Sequence, residues 1–156
     1  MVRSLLKWLR LPGADRWRTA RLAWTLLWLK AFPRSTSIGT AHPRDAADPP
    51  NHPGTAVSEA ELRVARAYAT AVERASNGLP FSTTCLERSV ALRRALRKRS
   101  IPAELKIGVR RGDRSLEAHA WVEVSGVILN DSEDVHQRYS AFDEAVLPSH
   151  FEIRGP

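Results

Sequence analysis

The chain has 156 residues, 43% of them hydrophobic and 26% charged, which suits one domain with a packed core and is short for two. Its formal net charge of +7 invites a nucleic acid, an anionic membrane or an acidic peptide as partner, or reflects a solvated Arg-rich surface. A single cysteine excludes an internal disulfide and a cysteine-based zinc site, and fits a reducing, cytoplasmic setting.

Residues 2–10 and 15–31 read as two helices broken at Pro12-Gly13, with Asp15 as N-cap and Pro33 as the stop. The apolar run at 22–29 is too short to span a bilayer. Arg10, Asp15, Arg16 and Arg18 ahead of it fit a signal peptide poorly. Trp8, Trp17, Trp24 and Trp28 lie in this segment with arginines around them. Such a face suits packing on its own domain or docking to a partner, in preference to a membrane. Residues 33–56 hold five prolines and no aromatic residue, so they read as a flexible linker.

Order resumes at Ser58, where Ser58 and Glu61 form a capping box and Val57 and Leu62 a hydrophobic staple. The helix they open carries Leu62, Ala65, Tyr68, Ala69 and Val72 on one face and ends at Asn77-Gly78. A second capping box, Thr84 with Glu87, puts Cys85 at the first helical position. Leu86, Ser89, Val90, Leu92 and Leu96 give that helix its inner face, and arginines crowd its last turns, where cations suit the helix dipole. Ile101-Pro102 closes it.

The period then changes to two. Ala103, Leu105, Ile107 and Val109 alternate with polar residues as one strand, and Ala118, Ala120, Val122 and Val124 as a second. Residues 127–129 start a third after the Ser125-Gly126 turn. Beyond Ser132 the pattern weakens, and Tyr139, Phe142, Val146 and Leu147 suggest a short helix or loop packing back. The layout is α+β, helices first and then an antiparallel sheet.

A thiol attacks as thiolate, and a helix N-terminus and a neighbouring histidine both favour that form. Cys85 has the first device by position. A lone cysteine is more often a small core residue, but one that follows Ser-Thr-Thr opens its helix. His119 shares one face of its strand with Trp121 and Glu123. A histidine base needs a carboxylate to hold its ring and fix its tautomer. Gly126 suits the left-handed last position of a three-residue hairpin loop, Val124-Ser125-Gly126, so the expected register pairs Glu123 with Val127 and sets His119 directly opposite Asp131. A two-residue Ser125-Gly126 loop would instead place Ser132 opposite His119 and turn Asp131 away.

The order Cys85, His119, Asp131 resembles that of transglutaminase-like and papain-like cysteine hydrolases. More narrowly, the stretch from Phe81 to Asp131, about a third of the chain, resembles the stand-alone leader peptidases of lasso peptide biosynthesis. The matching pieces are Ser82-Thr83-Thr84-Cys85-Leu86, Ser100-Ile101-Pro102-Ala103, Ile107-Gly108-Val109, Leu116 through Glu123, and Gly126 through Asp131. Ser100 stands where the family commonly has Gly.

The resemblance implies a transglutaminase-like catalytic domain at 57–156, behind Trp-rich helices at 1–32 and the linker at 33–56. It implies Cys85 as nucleophile, His119 as base and Asp131 as third member. Thr84 and Trp121, close to them in sequence, are candidate substrate contacts. The implied partners are a lasso precursor peptide, a separate leader-recognition protein and an asparagine-synthetase-like cyclase. No metal or cofactor is implied.

Two other functions stand beside cysteine peptidase. The same triad performs acyl transfer or deamidation. The cluster from Arg88 to Arg99 could also bind nucleic acid, but it lacks interleaved aromatics and suits a helix C-terminus.

Overall fold

The computed structural model describes residues 12–32, 57–112 and 115–141. The expected helix at 2–10, the linker at 33–56 and the segment after 141 lie outside the described residues.

Helix α1 (Gly13–Ala31) starts two residues before the expected 15, and Asp15 is not its cap. Proline has a near-helical φ, so Pro12 can present its carbonyl as the first acceptor, taking Asp15 N–H at 2.9 Å and Arg16 N–H at 3.1 Å. The Asp15 carboxylate pairs with Arg18 Nη1 at 2.7 Å instead. Leu22, Leu26 and Leu29, at i, i+4 and i+7, bury one face of α1 in the main core. Each contributes about 2 kcal/mol by leaving water. Trp17, Trp24 and Trp28 stay on the other face.

Helix α2 (Glu59–Gly78) carries the expected capping box, with Ser58 Oγ accepting Glu61 N–H and Glu61 accepting Ser58 N–H at 2.9 Å. Val57 and Leu62 both pack on the core beside it. Helix α3 (Cys85–Arg97) carries the second box. Its buried face is Ser89, Ala91, Leu92 and Leu96. It closes by a Schellman turn in which Ser100 N–H donates to Arg97 O at 2.9 Å and Ile101 N–H to Leu96 O at 3.1 Å.

Strands β1 (Glu104–Arg111), β2 (Leu116–Val124), β3 (Val127–Ile128) and β4 (Ser140–Ala141) form an antiparallel sheet in the order β3-β2-β1-β4. One-turn helix α4 (Val135–Arg138) precedes β4. Along β2 the side chains alternate: Val122 and Val124 join the core beneath α1–α3, whereas Trp121 packs with Val135 and Tyr139 on the opposite face.

The hairpin register corrects the expectation. Val124 pairs Val127 and Glu123 pairs Ile128, so the loop is the two-residue Ser125-Gly126. Both residues have positive φ, 49° and 78°, the geometry of a type I′ turn, whose twist matches that of the flanking strands. A regular ladder would then point Asp131 away from His119. The ladder stops first. Leu129 N–H still reaches Val122 O at 3.0 Å, but Val122 N–H is taken by the side-chain Oδ1 of Asn130 at 2.8 Å. The chain bends over residues 129–131 and carries Asp131 back toward β2.

Candidate active site

The approach to Cys85 is fixed from three sides. Thr84 Oγ1 accepts Glu87 N–H at 3.1 Å, and Glu87 Oε2 accepts Thr84 N–H at 2.7 Å. Ser76 Oγ, in the last turn of α2, meets Thr83 Oγ1 at 2.5 Å. Lys30 Nζ, near the end of α1, reaches Ser82 O at 3.4 Å. Cys85 is therefore the first residue of an anchored helix, with its side chain half-buried. In that first turn the N–H of Glu87 is capped by Thr84, while those of Cys85 and Leu86 have no intrahelical acceptor.

His119 Nε2 is hydrogen-bonded to Asp131 Oδ2. A nitrogen held by a carboxylate carries the ring proton, which leaves Nδ1 as the basic nitrogen. The ring faces are also held: Tyr139 stacks at 4.9 Å between centroids, and Trp121 at 6.2 Å. Gly108 of β1 pairs with His119 across the ladder. A Cβ there would come within 2.9 Å of Tyr139 Cβ and 3.0 Å of Trp121 Cη2, so only glycine lets both rings lie over the sheet.

Asp131 is held in turn. Its Oδ1 accepts Arg138 Nη2 at 2.5 Å and Ser132 N–H at 2.7 Å. Burial pushes its carboxyl upward, but hydrogen bonds from His119, Ser132 and Arg138 outweigh that and hold it below the usual carboxylate range. The aspartate is thus an anion aimed at the imidazole. Arg138 also spans Asp134 at 3.2 Å.

A buried network ties the helix that Cys85 opens to this pair. Ser89, one turn beyond Cys85, donates from Oγ to Ala120 O at 2.9 Å and accepts Asn130 Nδ2 at 2.8 Å. Ala120 follows His119 and Asn130 precedes Asp131, so one serine joins the three segments that carry Cys85, His119 and Asp131. Among the described residues no hydrogen bond joins the Cys85 thiol to the His119 ring.

Two expected substrate contacts read differently in place. Trp121 is fully buried and donates from Nε1 to Glu123 Oε1 at 2.6 Å, with His136 Nε2 2.7 Å from the same oxygen. It has no surface for a peptide, and it braces the His119 ring instead. Its large ring is drawn into the small core beside Val135 and Tyr139. Thr84 is exposed beside Cys85, but its hydroxyl oxygen is committed to the cap.

Sequence reasoning missed Asn130, Arg138 and Tyr139 in these roles, and it read Ser89 only as part of an inner face. A serine in an otherwise apolar stripe was the available signal, because a buried hydroxyl needs a partner. Among the described residues, no group of three His, Cys, Asp or Glu side chains could hold a metal ion. No described helix is long and apolar enough to cross a membrane.

Comparison with known proteins gives two findings. Residues 14–142 match the family model of the transglutaminase-like superfamily. The microcin J25-processing protein McjB of Escherichia coli is 41% identical over 64 residues, which is 41% of this chain and 30% of McjB. The chain thus spans less than a third of that relative's length. No solved structure matches the chain.

Proposed function

The chain belongs to the transglutaminase-like superfamily, and on that premise we propose that it is a cysteine peptidase that removes the leader from a lasso precursor peptide. The observation that carries this reading is the His119–Asp131 pair, with Nε2 occupied, Nδ1 left basic and the aspartate kept anionic by its hydrogen bonds with His119, Ser132 and Arg138. The 41% identity to a microcin-processing protein supports the substrate class.

In this mechanism Nδ1 of His119 takes the Cys85 proton as Sγ bonds to the scissile carbonyl carbon. Thiol and imidazole need come within hydrogen-bond reach only when peptide is bound. The backbone N–H of Cys85 donates to the oxyanion. The C–N bond breaks as the imidazolium gives its proton to the leaving amine, and a thioester remains. His119 then deprotonates a water that attacks the thioester, and the thiol is restored. Asp131 stays ionised throughout and holds the imidazolium in place. A separate leader-recognition protein delivers the precursor, and an asparagine-synthetase-like cyclase closes the ring afterwards.

The test incubates a lasso precursor and its recognition protein with wild type or Cys85→Ala, and reads product mass. Free leader plus core, absent with the alanine variant, is the expected result. Full cleavage by the variant ends the nucleophile assignment. A crosslinked or deamidated precursor would make the enzyme an acyl transferase or deamidase.

A further inference from the structure

The far end of α3 borders a feature that the chemistry above leaves unused. A groove of about 990 Å³ runs between α1 and α3. Ala95 lies at its floor, over the buried Leu22 and Ala91, and its wall includes Trp17, Trp24 and Trp28. Trp17 and Trp24 are 73% and 72% exposed, a large apolar area left in water. We propose that this groove receives an amphipathic helix of a partner protein, one whose apolar stripe is flanked by carboxylates.

Shape supports a rod. Trp17, Arg21, Trp24 and Trp28 follow i, i+4, i+7, i+11 along α1, and Ala91, Ala95 and Lys98 follow i, i+4, i+7 along α3. Two such ridges flank a channel into which a third helix can set its own ridge, and the small side chain of Ala95 at the floor allows close approach.

Charge selects the partner. Arg18, Arg21, Arg94, Lys98 and Arg99 line the groove, and among the described residues none of its lining side chains is acidic. Some of these cations already have local roles: Arg18 pairs with Asp15, and Arg99 Nε donates to Tyr68 Oη at 2.6 Å. Arg21 and Lys98 are exposed at the rim, placed to meet carboxylates beside an apolar stripe. A concave channel cannot lie flat on a bilayer. Its tryptophan wall and the Ala95 floor suit apolar side chains better than the polar edges of bases.

The probe is a synthetic helical peptide with a leucine stripe flanked by glutamates, titrated into the full chain and followed by tryptophan fluorescence. The expected result is a saturable blue shift that weakens with added salt. A lysine-flanked twin should bind at least about tenfold more weakly. Trp24→Ala, and separately Arg21→Glu, should each weaken the glutamate peptide by about tenfold while melting like wild type, because both side chains are exposed. Cys85→Ala should bind as wild type does, which keeps this test separate from the peptidase reading. Absence of binding, equal affinity for both peptides, or tighter binding of oligo-dT or phosphatidylglycerol vesicles would each overturn the proposal.

Discussion

At its first turn α3 is locked by hydrogen bonds, through the Thr84–Glu87 box and then through Ser89 to Ala120 and Asn130. At its last turns the same helix borders a groove walled by exposed tryptophans and lined by cations. The helix spans about 20 Å between these ends. The contrast separates two demands on one scaffold. Chemistry needs side chains held within a fraction of an ångström, so the groups that anchor this end, Thr84, Glu87 and Ser89, are each hydrogen-bonded. Association needs area still to be buried, so apolar rings there are left in water. One rigid rod fixes the distance between the two.

The largest expected effect belongs to the locked end. Asp131→Asn preserves shape but removes the charge and favours the wrong tautomer of His119. On the peptidase reading, kcat/KM for leader cleavage should fall by about 10³-fold, with groove binding unchanged. The same variant has an acid signature. Asp131's folded pKa lies below its unfolded value, so its contribution to stability is complete above the ordinary carboxylate range and is lost as pH falls through the depressed folded value. Melting of wild type should steepen its decline below about pH 4, and Asp131→Asn should flatten that limb. Superimposable acid limbs would show that Asp131 is not held as described.

A smaller effect is expected from the network that joins the two ends. Ser89→Ala leaves Asn130 Nδ2 and Ala120 O each short of a partner inside the protein. The cost should be about 2 kcal/mol, seen as a melting temperature lower by about 4–8 °C. Cleavage should fall with it, because the tie between α3 and β2 is loosened, while the glutamate peptide should bind as before. Lost peptide binding would mean that the two ends of α3 are not independent.

How much of this was legible follows from how local each signal is. Both capping boxes sit within four residues, so Cys85 could be placed at a helix start from sequence alone. The strands followed from period two. The hairpin could not be settled this way, since Gly126 supplies a positive φ in either loop and Ser125 is an uncommon residue at φ 49°. The contact that brings Asp131 to His119 needs Asn130 to replace a backbone acceptor, and that in turn needs Ser89 from 41 positions earlier in the chain. The same non-locality hid Arg138 and Tyr139, which sit in a stretch with little periodicity and act only once folded against β1 and β2. Trp121 misled for a related reason: proximity to His119 in sequence says nothing about whether a ring faces peptide or core.

The smallest expected effect lies at the open end. Ser100 adopts φ 57° to let its own N–H and that of Ile101 close the helix. A left-handed conformation costs a residue with a Cβ about 1 kcal/mol, and glycine adopts it freely. Glycine also loosens the unfolded chain, which offsets part of the gain. Ser100→Gly should therefore stabilise by about 0.5 kcal/mol, a rise of one or two degrees in calorimetry. Ser100 also lines the groove, so the variant separates backbone from side chain there. Raised stability with unchanged peptide affinity makes Ser100 a helix stop alone. A loss of affinity would show that its hydroxyl faces the bound helix, and would extend the docking surface to the end of α3.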